Sequence, residues 1–142
     1  MSEIKQIINI RGKEQDVYKA LSTIDGLSNW WTSTTSGEST VGGKIDFRFN
    51  KHLCTMRVSA LEPGRRVAWD CIEPDSEWTG TKLSFDLKGK DGVTVLTFGH
   101  KEWKEASDFF GHCSMKWATF LLSLKQYVET GTGAPFPKDL AV

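Results

Sequence analysis

One stretch limits the folds open to this chain more than any other: Ser107–Gly131, SDFFGHCSMKWATFLLSLKQYVETG. Phe109, Phe110, Cys113, Trp117, Phe120, Leu121, Leu124 and Val128 recur at steps of three, four and seven. That spacing lays a single apolar stripe along an α-helix and leaves His112, Lys116, Thr119, Ser123 and Gln126 toward the other side. Ser107 suits the N-cap, Asp108 the positive end of the helix dipole, and Gly131 the left-handed position just past the C-terminus. Roughly 24 helical residues at about 1.5 Å each make a rod of about 36 Å. A stripe this aromatic needs a broad apolar surface to lie against.

The preceding residues have the period to supply one. Ile4–Arg11 alternates as a first strand, with Ile8 and Ile10 on one face and Ile7 and Asn9 on the other. Glu14–Ser22 reads as a short helix carrying Val17, Ala20 and Leu21 inward, and Thr23–Trp31 as a second short helix or turn. Thr32–Thr40 is polar and reads as a short edge strand or a mobile loop. From Gly42 the period is two. Ile45, Phe47 and Phe49 form one inward set, Cys54, Met56, Val58 and Ala60 the next, and Val67, Trp69 and Cys71 a third. Leu83, Phe85 and Leu87, then Leu96, Phe98 and His100, complete the pattern, with turns at Glu62–Arg65 and Lys88–Gly92. Asp70 and Asp86 then point outward. Five or six antiparallel strands with one apolar face, flanked by two short helices and one long one, predict an α+β arrangement in which a curved sheet wraps the final helix. Residues 1–142 are expected to form a single domain, with 131–142 a loosely held tail whose Phe136 tucks back onto the body.

Composition narrows the function. Eighteen basic and eighteen acidic residues leave a formal charge of +0, so no nucleic-acid partner is expected. No apolar run approaches the roughly 20 residues of a membrane span, and the N-terminus lacks a signal-peptide core. Three cysteines, Cys54, Cys71 and Cys113, match no disulfide framework and point to reduced thiols in a cytoplasmic protein. A turn centred on Pro63–Gly64 places Cys54 and Cys71 on neighbouring strands and the same face, one diagonal pair apart. There is no CxxC and no HxxxH, so neither a metal nor another cofactor is expected. There is also no GxSxG elbow and no visible catalytic motif.

The order of these segments, and the residues VYKALSTIDGLSNWW (17–31), GGKIDFRF (42–49), LEPGRRVAW (61–69), TKLSFDL, VTVLTFGH ending at His100, and KWATFLLSLKQYVETG (116–131), resemble the Bet v 1-like, or START-like, superfamily, also called SRPBCC. Within it the chain is similar to the branch named for the C-terminal domain of the activator of heat-shock protein 90 ATPase. The resemblance covers Ile8 to about Pro135. It implies a helix-grip fold with a cavity between the sheet and the last helix, used across the superfamily for lipids, sterols, polyketides and other apolar molecules. Co-chaperone activation in that branch relies on an additional N-terminal domain, which is not expected in this chain because its strand pattern begins at residue 4.

The expected cavity lining is Trp31, Phe47, Phe49, Met56, Trp69, Phe85, Phe98, His100, Phe110, Trp117 and Leu121, a set that packs an ordinary core equally well. Of the adjacent Trp30 and Trp31, one packs beneath the short helices and the other sits at the cavity mouth. His100 either orients a ligand oxygen or acts as an acid or base, or is a structural histidine hydrogen-bonded to backbone at a strand end. Three functions follow: binding of a small apolar or amphipathic ligand; an enzyme of the cyclase or hydrolase type using His100; or a protein-interaction module with an exposed apolar patch around Trp30, Trp78 or Trp103.

Overall fold

A first strand, β1 (Ser2–Arg11), leads into two short helices, α1 (Glu14–Ser22) and α2 (Ile24–Trp30). Six strands follow: β2 (Thr35–Gly37), β3 (Lys44–Phe49), β4 (His52–Glu62), β5 (Arg66–Cys71), β6 (Lys82–Lys90) and β7 (Val93–Trp103). The last element is α3 (Asp108–Thr130). The computed structural model describes residues Met1–Val142.

The strands form one seven-stranded sheet in the order β1-β7-β6-β5-β4-β3-β2. Every neighbouring pair is antiparallel, and β1 closes the sheet against β7 from the other end of the chain, with Ile8 opposite Leu96. Alternation sets the faces as expected: Ile4 and Ile10 are buried while Ile7 is exposed. The charged outer face carries the Lys82–Asp70 and Arg66–Asp86 ion pairs.

On the other face lies α3. The Ser107 hydroxyl accepts from the Phe110 amide, and Gly131 ends the helix at φ 89°, in the left-handed region that glycine enters freely. Trp117 meets the Phe98 ring at 4.6 Å and the Trp31 ring at 5.0 Å, so the helix is gripped through aromatic contacts. The result is an α+β helix-grip fold. The two short helices close one end, and they meet tightly: a Cβ on Gly26 would stand 2.7 Å from the Ala20 backbone.

Several expectations need correction. Ser123, on the expected polar side of α3, is buried: its hydroxyl donates to the Trp30 carbonyl at 2.9 Å and accepts from the Ala134 amide at 2.8 Å. Phe109, on the expected apolar stripe, is 43% exposed in the first turn of the helix, where it borders a partly open cavity. The tail is not loose. The Phe136 amide donates to the Trp31 carbonyl, and Lys116 of α3 holds Asp139 and the Leu140 carbonyl. No exposed patch forms around Trp30 or Trp103, which are fully buried, or around Trp78, which is half-buried.

Candidate functional site

The middle of the gripped interface is filled. Trp31, at the end of α2, lies parallel to Trp69 with ring centres 5.8 Å apart and touches Phe47 at 4.2 Å. Phe85 stands edge-on to Trp69 at 5.0 Å and meets Phe98 at 5.2 Å. Rings of this size on facing elements interdigitate without a gap, in the offset and edge-on geometries that aromatic quadrupoles favour.

Space opens instead at one end, as a cavity of about 300 Å³ that is partly open to solvent. Four parts of the chain build it. The β3–β4 turn contributes Phe49, His52 and Cys54, and the loop after β5 contributes Ser76 and Trp78. The start of α3 contributes Phe109, His112, Cys113, Lys116, Trp117 and Phe120, and the tail contributes Phe136. Trp31 forms the floor, where the filled middle begins. Each wall has a local cause. Asn50 takes a positive φ of 56°, turning β3 into β4 and leaving Phe49 and His52 at the rim. The loop after β5 is tied by its own side chains: Thr79 Oγ1 donates to the Glu73 carbonyl at 2.7 Å, and Thr81 Oγ1 to the Trp78 carbonyl at 2.6 Å. The Phe136 ring sits 5.4 Å from Phe49 because the tail backbone is fastened to residues 31 and 33.

Polar groups at this end are few and sit mainly at the rim. His52 and Lys116 extend outward, and the Lys116 ammonium also lies 5.2 Å over the Phe120 ring. The Trp78 indole N–H is enclosed by protein, and the Cys113 sulfur beside it is its nearest acceptor. Burial pushes the Cys113 thiol up to about 11, which keeps it protonated and unreactive.

Of the residues expected at a cavity, Trp31, Phe49 and Trp117 line this one. Phe47, Met56, Trp69, Phe85, Phe98 and Leu121 belong to the filled core, and Phe110 packs edge-on against Trp103 at 5.1 Å. The physical reason is that strand alternation fixes which face a side chain takes, not how far along the strand the helix stays in contact.

His100 corrects a second expectation. It is fully buried, tied to side chains rather than backbone, and does not line the cavity. The Trp117 indole N–H donates to Nδ1 at 3.1 Å, so that nitrogen is the bare acceptor and the proton sits on Nε2. Nε2–H then donates to Thr81 Oγ1 at 2.8 Å, and Thr81 passes its own proton to the Trp78 carbonyl. Every polar atom in this relay is satisfied with the imidazole neutral. Burial lowers the His100 pKa to about 3.

Sequence reasoning missed His52, Cys54, Ser76, Trp78, Phe109, His112, Cys113, Lys116, Phe120 and Phe136 as lining residues. The boundary between the apolar stripe and the polar face of α3 was the available signal, since His112 and Lys116 fall one turn apart along it. At the back of the β3–β4 wall, Cys54, Cys71 and Glu73 are all buried, with their ligand atoms within 4.8 Å of one another.

No curated protein matches the chain. Among solved structures it is similar to the Aha1 dimer from Colwellia psychrerythraea, at 41% identity over 94% of this chain and 100% of that one, with a TM-score of 0.87. Protein SSP2350 from Staphylococcus saprophyticus shares the fold at 17% identity and a TM-score of 0.77, over 93% of this chain and 95% of that one. DynU16, from the dynemicin biosynthetic locus, shares it at 18% identity and a TM-score of 0.79, over 94% of this chain and 49% of that one. The family model described as Activator of Hsp90 ATPase homolog 1-like protein matches residues 13–129. With its sheet, its gripped helix and 117 consecutive residues fitting that model, the chain belongs to the Activator of Hsp90 ATPase homolog 1-like family.

Proposed function

We propose that residues 1–142 act as one domain that binds a small apolar or amphipathic molecule at the open end of the helix grip. The aromatic cavity of about 300 Å³ carries this reading, being at the lower end of the size of small-molecule sites. At the ~30 Å³ that a water occupies, it takes roughly ten to fifteen non-hydrogen atoms. A medium-length chain or a compact ring system fits. The basic rim of His52, His112 and Lys116 favours an oxygen-bearing head group. Burying about 300 Å² of ligand would contribute roughly 7 kcal/mol before association costs. The three buried free cysteines suit a reducing, cytoplasmic setting, and no helix is long and apolar enough to cross a membrane.

Trp31, Trp78 and Trp117 line the cavity, so their fluorescence reports occupancy. Titration with decanoate and 1-decanol should give a saturable change, and native mass spectrometry of freshly purified protein should show a co-purified small molecule. Cys113→Phe, which grows a ring into the void, should weaken probe binding at least tenfold while the fold persists. A flat titration with both probes, together with a bare mass, would sink the binding role.

An enzyme using His100 is not supported, since the neutral, enclosed imidazole has no route to a substrate in the cavity. A second reading is association with another copy. The relative at 41% identity is a dimer, and Met115 and Leu122 are exposed on the outer side of α3. Light scattering behind a sizing column would show twice the chain mass, and Leu122→Glu would return it to one.

A further inference from the structure

The sequences HLC (52–54) and CIE (71–73) each place two ligand-type side chains two residues apart, on one face of an extended chain. The β4–β5 register sets Met56 opposite Cys71, and the Ile72 amide donates to the Thr55 carbonyl at 3.0 Å. Continuing that register brings Cys54 opposite Glu73, with Cys71 and His52 on the diagonals. The side chains converge accordingly. Cys54 Sγ, Cys71 Sγ and a Glu73 oxygen lie within 4.8 Å of one another. Cys71 Sγ is 3.7 Å from Glu73 Oε1, and His52 Nε2 is 3.2 Å from Glu73 Oε2.

We propose that Cys54, Cys71, Glu73 and His52 form a tetrahedral site for a thiophilic divalent transition metal of the zinc class. Bonds of about 2.0–2.3 Å to sulfur, nitrogen and oxygen make a tetrahedron with edges of roughly 3.3–3.8 Å, and the Cys71 Sγ–Glu73 Oε1 separation already falls in that range. His52 lies outside the 4.8 Å set, held by the other carboxylate oxygen, and would swing in from the surface as the fourth ligand. The ligand set is right in kind: two soft sulfurs and an imidazole select zinc, cobalt or copper over calcium or magnesium. Glu73 supplies the second argument. Its side chain is 4% exposed, yet its only basic partner is a histidine. Carboxylates buried to this degree are ordinarily paired with a full cation or bound to a metal. A divalent ion between the thiols and the carboxylate supplies that charge, and binding releases the two thiol protons. His52, 59% exposed, stands on the solvent side and provides the entry path. The site forms part of the cavity wall through His52 and Cys54 but does not depend on the apolar ligand.

The test uses the full chain, chelator-stripped, reduced with a phosphine and titrated with Co²⁺. One equivalent should produce a thiolate-to-cobalt charge-transfer band and tetrahedral visible bands, both displaced by Zn²⁺. The Cys54→Ser/Cys71→Ser double variant, which keeps Cys113, should lose the charge-transfer band. Glu73→Gln should weaken binding about 100-fold and His52→Asn about 10-fold or more, at least the range for groups that merely support a metal's ligands. His52 is at the surface, so its variant tests the site without threatening the fold. No charge-transfer band in reduced wild type, a band that survives the double variant, or affinity untouched by His52→Asn would overturn the assignment.

Discussion

The middle of the helix grip and its open end are both aromatic, yet one is solid and the other hollow. In the middle, Trp31, Phe47, Trp69, Phe85 and Phe98 come from facing elements and fill the gap between sheet and helix with centroid distances of 4.2–5.8 Å. At the open end, Phe49, Trp78, Phe109, Phe120 and Phe136 come from a turn, a loop, a helix start and a tail. The polar groups differ in the same way. His100 in the solid part has both nitrogens bonded, whereas His52, His112 and Lys116 at the hollow part keep contact with water. Aromatic content alone therefore does not make a binding cavity. A void survives where the walls are irregular segments held apart by their own hydrogen bonds and where basic heads must stay hydrated.

The sharpest test of the solid region is acid. His100 titrates near 3 in the folded protein, against 6.5 for a free imidazole. Below pH 6.5 the unfolded chain takes up a proton that the folded chain refuses, so stability is complete above that value and falls as pH drops toward 3. At about 1.4 kcal/mol per pH unit the loss approaches about 5 kcal/mol. His100→Gln keeps an acceptor for Trp117 and a donor for Thr81 but cannot titrate. Its denaturant-unfolding free energy should be lower at neutral pH and flatter between pH 6.5 and 3 than that of wild type. Parallel curves would show that acid acts elsewhere.

A pair of truncations contrasts the filled middle and the open end directly. Phe85→Ala removes a fully buried ring from the filled middle and should destabilise by about 4 kcal/mol, transfer and cavity terms together. Phe109→Ala removes an equal ring from the rim, where nearly half of it already meets water, and should change stability by about 1 kcal/mol or less. Equal losses by chemical denaturation would show that the rim packs as the middle does.

The same contrast explains what the sequence revealed. Period and capping residues located α3, α1 and most strands to within a residue or two, because each depends on contacts a few positions apart. The Pro63–Gly64 turn even placed Cys54 diagonal to Cys71. The cavity was another matter. Which rings line it depends on where α3 parts from the sheet and on the return of Phe136, 105 residues after Trp31, to that residue's carbonyl. Neither leaves a periodic mark. His52 and Glu73 were legible in principle as partners two residues from each cysteine, but only once the strand register was known.

The smallest effect expected concerns the tail that walls the hollow end. Lys116 holds Asp139 and the Leu140 carbonyl, and the Asp139 side chain is 8% exposed. An ion pair reached by solvent on its lysine side is worth about 1 kcal/mol at most, so Asp139→Asn should barely move the unfolding midpoint. Its consequence is local. Phe136 keeps its backbone bonds to residues 31 and 33, whereas residues beyond it lose their charged anchor. Limited proteolysis should then remove the last residues faster in the variant than in wild type, and probe affinity in the cavity should fall no more than about threefold. A large drop in affinity would instead make the Lys116–Asp139 pair part of the binding wall, and would move the boundary between solid and hollow regions further into the tail.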